Sequence, residues 1–244
     1  MSNVGRETSP LVYARVAGVL YLVIIIFGIF SEAFVRSSLF VQGDAAATAS
    51  NILASQGLFR VGFFADSVMF LCDVAVAVLL FVLLKPVNKT LALLAMFFRL
   101  MQTAVIAMNL LNYHAALLLL GNSVYAGVLE PGQLHSLSHF FLELHAHGYD
   151  LGLLLFGVHC FLLGRLVVRS GYIPKVLGIL MMAAAVAYVV GSYTRFLFPS
   201  YLATITPVYI VAFVSELAFG LWLLVKGVRL EEWKRRVGGG VAGR

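Results

Sequence analysis

Three ionisable residues stand inside long apolar runs of this chain: Asp73, Arg99 and Glu216. A charge at the middle of a bilayer costs roughly 2.5–3.5 kcal/mol on insertion scales, so each needs a partner or a task. Counted inward at about 1.5 Å per residue, Asp73 lies about 16 Å deep, and Arg99 and Glu216 about 13 Å. Those depths fall near the centre of a hydrocarbon layer about 30 Å thick. If their helices touch, one guanidinium can bridge two carboxylates, because its planar fork serves two acceptors and its charge persists. Gln102 stands one turn from Arg99 on nearly the same face. Two carboxylates and one guanidinium leave a surplus negative charge, which a bound proton or a cation must balance. The chemistry expected is binding of an ion or small polar solute. The plain alternative is a buried ion network that fixes helix packing.

A second polar layer is expected nearer the outer face: Glu32, Asp66, Asn109, Asn112, Asp150 and Arg195. Asp66 and Asp73 share one stripe of a helix, and Arg99, Gln102, Asn109 and Tyr113 make a similar stripe on the next. Asp66, Asn109 and Asp150 thus join Asp73, Arg99, Gln102 and Glu216 as candidate binding residues of a polar funnel. Glu32, Asn112 and Arg195 read more simply as interfacial residues.

His135, His139, Glu143 and His147 recur every four residues, with Asp150 near the same stripe. Histidines at i,i+4 can hold a transition metal, so His139, Glu143 and His147 are candidate ligands; a solvated helical extension is the simpler reading. His145 and His159 lie on another face, about 21 Å apart by the helical rise. That spacing is similar to helices of membrane cytochromes b, which carry one ligand for each of two haems, and each haem needs a second axial ligand. His114, near the outer face of the third helix, could at best complete the outer one, and Met96, Met101 and Met108 are unspecific candidates. Gly148 and Gly152 share this face and suit close approach of another helix, within the chain or in an oligomer. Haem or a transition metal is therefore a possible cofactor, and none is the simpler expectation. Cys72 and Cys160 sit far apart in apolar sequence and read as structural thiols. No phosphate-binding glycine loop, nucleophile elbow or HExxH helix is present.

The elements that must position these groups are six apolar blocks, approximately Leu11–Phe30, Val61–Leu84, Leu91–Leu120, Leu137–Val168, Ile173–Phe198 and Ala203–Val228. About 20 residues suffice to span hydrocarbon as helix, and the blocks lack the alternation of barrel strands. With 61% hydrophobic and 11% charged residues, the chain lies outside the soluble range. The expected fold is all-α, a bundle of six transmembrane helices over residues 11–228. A segment 1–10 precedes it and a basic tail 229–244 follows, disordered from Gly238. The first block is read as a retained helix, although Ser31-Glu32-Ala33 is similar to a signal-cleavage site. Of 17 Lys and Arg residues, thirteen fall on the side of the termini, three on the other (Arg36, Arg60, Arg195), and Arg99 within a span. This bias predicts both termini in the cytoplasm, and the basic residues at helix ends give no groove for nucleic acid. Asp44 is expected to cap a short outer surface helix that Gly57 ends, and Pro131 to start a fourth long helix running to about Val168.

The segment Leu144-His145-Ala146-His147-Gly148-Tyr149-Asp150, with Phe156-Gly157-Val158-His159 and Arg169-Ser170-Gly171-Tyr172-Ile173-Pro174, resembles a bacterial membrane family known as domain of unknown function DUF4386. Cys72-Asp73, Phe98-Arg99-Leu100 and Gly43-Asp44-Ala45 add to the likeness, which runs from about Arg15 to Val228. The resemblance implies six helices in a bacterial or archaeal inner membrane and brings no activity. The resemblance also implies an acidic residue shortly after the arginine, where this chain departs with Gln102. Three functional classes stay open: an ion or polar-solute binder or transporter, a non-catalytic sensor or partner subunit, and a haem- or metal-dependent redox enzyme. An enzyme is the less expected outcome.

Overall fold

The computed structural model describes residues 9–239, and no strand occurs among them. The elements are α1 (Pro10–Leu39), α2 (Ala45–Ala54), α3 (Gln56–Leu84), α4 (Lys89–Gly121), α5 (Pro131–Ser170), α6 (Lys175–Leu197), α7 (Pro199–Val225) and α8 (Leu230–Gly239). All but α2 and α8 are long and apolar enough to cross a membrane, so the protein is a multi-pass, all-helical membrane protein.

Local chemistry sets the boundaries. Asp44 caps α2 by accepting from the Ala47 amide at 2.8 Å, as expected. Asn88 does the same for α4 through the Leu91 amide at 2.8 Å. Pro131 opens α5, where a missing N–H costs nothing, and the Gln133 side chain accepts from the Glu130 amide at 3.0 Å. Gly171 ends α5 at φ 81° and Gly227 follows α7 at φ 64°, a region that side chains disfavour. The start of α7 winds through short 3-10 turns at Pro199–Tyr201 and Thr206–Val208, since Pro199 and Pro207 cannot donate to a regular α-helix.

Three expectations need correction. The first helix does not stop at Phe30 but continues to Leu39, with Phe30–Arg36 wound as a π-helix. Arg36 therefore belongs to a helix and not to a loop, and Arg60 likewise lies within α3. The apolar pattern ended early because Ser31 and Arg36 are polar residues bonded within the fold and Glu32 is an exposed one paired with Arg36. Gly57 does not end α2: Ser55 caps it, and Gly57 falls in the first turn of α3. Within the expected tail, α8 extends to Gly239, and the disorder expected from Gly238 falls mostly on residues outside the described ones. Its Trp233 indole donates to the Leu83 carbonyl at 3.2 Å, and Arg236 donates to the Arg169 carbonyl at 2.7 Å. Those carbonyls lie in the last turns of α3 and α5, where helices leave acceptors unpaired. Buried Tyr172 also donates to the Leu83 carbonyl, at 2.7 Å, and burial pushes its phenol above the usual range. Residues 1–8 of the expected leading segment, and 240–244 of the tail, lie outside the described residues.

The chain divides into two compact units. One, here the terminal unit, comprises Met1–Leu22, Cys72–Met101 and Leu153–Arg244. The other, the internal unit, comprises Val23–Leu71 and Gln102–Gly152. Small residues let helices approach in the terminal unit. A Cβ on Gly164 would stand 2.5 Å from the Gly178 carbonyl, and one on Gly18 would stand 2.4 Å from the Leu224 amide. Ala184, Ala187 and Ala212 form a second close contact, between α6 and α7. The core of the internal unit is bulkier: Val35, Leu39, Phe59, Leu110 and Tyr113 pack there, and Ile52 anchors α2 to it.

Candidate functional site

The polar heart of the terminal unit is Arg99, which has no solvent exposure. One terminal nitrogen donates to Asp73 Oδ1 at 2.5 Å. The other donates to the Tyr21 hydroxyl at 2.9 Å and faces His159 Nε2 at 3.2 Å. The guanidinium is also flanked by aromatic faces, 4.8 Å from the Tyr21 ring centre and 5.0 Å from that of Phe156. His159 turns its Nδ1 to the Ala95 carbonyl at 2.8 Å. A carbonyl only accepts and a guanidinium only donates, so Nδ1 carries the proton and Nε2 is the acceptor. Both ring nitrogens are thereby engaged in this arrangement.

Glu216, on α7, is buried in the same unit. Its Oε1 accepts from the Tyr188 hydroxyl, and it lies within electrostatic reach of Arg99 and Asp73. Phe156 packs edge-on against Tyr188 at 5.3 Å and carries the contact from Arg99 toward Glu216. The three charges thus meet in one unit, but the bridging differs from the expected one. The fork of Arg99 joins a carboxylate to a phenol and an imidazole, while the second carboxylate takes its hydrogen bond from another phenol. Each membrane-spanning helix supplies a member: Tyr21, Asp73, Arg99, His159, Tyr188 and Glu216. Cys160 is buried nearby as a free thiol, and Cys72 is half-buried. An apolar pocket lined by Ala77, Leu80, Met96 and Leu163 also reaches His159.

The internal unit holds a separate polar group. Arg36, in the π-helical stretch, donates to Glu32 Oε2 at 2.6 Å and to Asp66 Oδ2 at 2.7 Å. Its guanidinium lies 5.8 Å from the Tyr149 ring centre. Buried Asn109 donates to the His145 carbonyl at 2.8 Å and accepts from Asn112 at 3.0 Å. His145 Nδ1 lies 3.2 Å from both the Asn109 backbone carbonyl and the Asn109 side-chain nitrogen. The helices approach here because Gly148 makes room for Asn109, and Gly152 for Ile106. The close approach expected at those glycines is thus made by α4 of the same chain. Gln102 and Asp150 are buried in this unit; the Gln102 carbonyl oxygen takes no hydrogen bond from the described residues.

The histidine stripe is less concentrated. His139 stacks on Phe40 at 4.7 Å, and its Nε2 lies 3.6 Å from Glu143. Exposed His147 points Nδ1 to the Glu143 backbone carbonyl of its own helix at 2.8 Å. No three His, Cys, Asp or Glu side chains converge to hold a metal among the described residues. His114 lies against Phe63, while Met101 and Met108 are exposed.

Sequence reasoning missed Tyr21, Tyr188 and Phe156 in the first centre and Arg36 in the second. Tyrosines in the middle of apolar blocks were the available signal, since a buried phenol requires a hydrogen-bond partner. For Arg36 the signal was Glu32 one turn before it and Asp66 on the next helix.

The family described as "Domain of unknown function (DUF4386)" matches residues 16–227. An "Uncharacterized protein" of Archaeoglobus fulgidus is 35% identical over 160 residues, covering 66% of this chain and 80% of its own. No solved structure matches the chain.

Proposed function

The chain belongs to the DUF4386 family, and from that premise we propose that it binds or conducts a proton or small cation at the Asp73–Arg99–Glu216 centre. One observation carries this reading. Arg99 is paired with Asp73 at 2.5 Å, whereas Glu216, buried in the same unit, is hydrogen-bonded by the uncharged phenol of Tyr188. A second carboxyl in such a place holds charge balance by taking a proton or a cation. Glu216 is the exchanging group in this scheme, Tyr188 orients it, and the Asp73–Arg99 pair supplies the fixed field. We place the protein in the cytoplasmic membrane with both termini inside, a topology supported by the Lys and Arg bias.

Reconstitution into lipid vesicles tests the proposal. With an imposed pH gradient and a trapped pH dye, the wild-type protein should dissipate the gradient and Glu216→Gln should not. Flux that is unchanged in Glu216→Gln, or no proton or small-cation movement or binding by folded wild type, overturns it.

A second reading is a non-transporting membrane subunit whose ion network locks the helices. The complete enclosure of Arg99 between two aromatic rings favours it. Under that reading, Arg99→Leu lowers stability and Glu216→Gln changes no flux.

A further inference from the structure

The pocket that reaches His159 is a crevice between α3, α4 and α5, wholly within the terminal unit. Three alanines, Ala77, Ala92 and Ala95, leave room for it, and Leu80, Leu163 and Leu166 add to its apolar wall. It holds about 200 Å³ of space, part of it open to the outside. The crevice follows α5 from His159 to Leu166 and α3 from Ala77 to Leu84, about 10 Å of each helix. One leaflet supplies about 15 Å of a hydrocarbon layer about 30 Å thick, so the crevice runs through most of a leaflet. His159 is its polar side chain, and both ring nitrogens are already engaged, by Arg99 and the Ala95 carbonyl. Whatever fills the crevice must therefore be apolar.

The shallow end of the crevice is basic. Lys85 directly follows Leu84, Lys89 stands one turn before Ala92, and Arg169 one turn beyond Leu166; all three are exposed. Arg236 of α8 joins them, since it donates to the Arg169 carbonyl at 2.7 Å. Trp233 of the same helix donates to the Leu83 carbonyl, next to Leu84, so α8 lies at this end of both α3 and α5. None of the four cations has a carboxylate partner among the described residues; Glu231 and Glu232 of α8 pair instead with Lys234 and Arg235. Unneutralised cations at the head of an apolar crevice complement a molecule with an anionic head and an apolar chain. Basic pockets between membrane helices hold anionic headgroups in this way, and long basic side chains lay their stems along apolar surface while the charge reaches the headgroup level.

We infer that the crevice binds an anionic phospholipid of the leaflet on the α8 side. One acyl chain lies against Ala77, Ala92 and Leu166, and the phosphate sits among Lys85, Lys89, Arg169 and Arg236. The inference rests on the crevice and its basic rim and does not depend on the function proposed for Glu216.

Thermal unfolding of the full-length protein in a neutral detergent tests the inference. Short-chain phosphatidylglycerol is titrated against phosphatidylcholine of the same chains and against soluble glycerophosphate. Phosphatidylglycerol should raise Tm saturably, phosphatidylcholine clearly less at equal concentration, and glycerophosphate not at all. Lys85→Gln combined with Lys89→Gln should weaken the apparent affinity for phosphatidylglycerol about tenfold or more. Arg15→Gln combined with Lys226→Gln should keep it, because that pair removes the same charge from exposed positions on α1 and just past α7, helices that do not line the crevice. Ala92→Phe should weaken it by filling the crevice, and if that variant does not fold, Met96→Trp takes its place. The inference is overturned by an equal response to phosphatidylcholine, by the same response to glycerophosphate, or by no saturable response. Affinity retained in the Lys85 and Lys89 variant, an equal loss in both charge pairs, or unchanged affinity in a folded filling variant overturns it too.

Discussion

The two polar groups are built from the same parts and finished differently. Each pairs an arginine with an aspartate of α3, Asp73 in one and Asp66 in the other. Each lays that arginine against a tyrosine ring and adds a histidine of α5 whose Nδ1 meets a carbonyl of α4. The histidines are fourteen residues apart on α5, and the carbonyls of Ala95 and Asn109 that receive them are fourteen apart in the opposite direction on α4. The difference lies in what remains open. In the terminal unit His159 has both nitrogens bonded, and its arginine is wholly enclosed. In the internal unit His145 Nε2 and Asp66 Oδ1 take no hydrogen bond from the described residues, and the pairing extends to the exposed carboxylate of Glu32.

The sharpest way to break this contrast is to remove each arginine. Arg99→Met takes the ion-pair partner from the buried Asp73 carboxylate and should cost about 3–5 kcal/mol in detergent unfolding, with much of the loss restored by adding Asp73→Asn. Arg36→Met should cost less, about 1–3 kcal/mol, because one of its two carboxylates is exposed. Equal losses would erase the distinction between the units. Next in size is Gly164→Leu, which forces a side chain into the α6 backbone and should cost about 1–3 kcal/mol or prevent folding. Gly57→Leu, where nothing is close, should be tolerated in the same measurement.

How much of this was legible in the sequence depends on the interaction. Asp73, Arg99 and Glu216 stood out because hydrocarbon makes any charge conspicuous, and helix counting placed them at matching depth. Tyr21 and Tyr188 did not stand out, since tyrosine is ordinary in an apolar block and only a neighbour reveals that its hydroxyl is used. Arg36 was hidden by its place just beyond an apolar run, where arginine ordinarily meets water.

Two smaller effects sharpen the comparison of the histidines and phenols. His159→Phe should cost about 0.6 kcal/mol and up to about 1.7 kcal/mol, as interhelical hydrogen bonds in membranes do, and His145→Phe less, because its Nε2 has no hydrogen bond from the described residues to lose. The reverse order in thermal unfolding would contradict the assignment of open and closed groups. Tyr188→Phe should change stability least, and should shift the protonated-carboxyl band in infrared difference spectra that Glu216→Gln abolishes. A band insensitive to Tyr188→Phe would separate Glu216 from its phenol.

From composition and periodicity alone came the number of spans, their approximate limits and the cap at Asp44. These follow from local rules: backbone hydrogen bonds must close within each helix in lipid, and the apolar length must match the hydrocarbon. Partner choice was decided by tertiary structure alone: Arg99 with Tyr21 and His159, Glu216 with Tyr188, Arg36 with Asp66. An arginine in lipid must find acceptors but does not specify which, and only the rotation and register of the packed helices, set by residues such as Gly148 and Gly164, bring particular ones within reach.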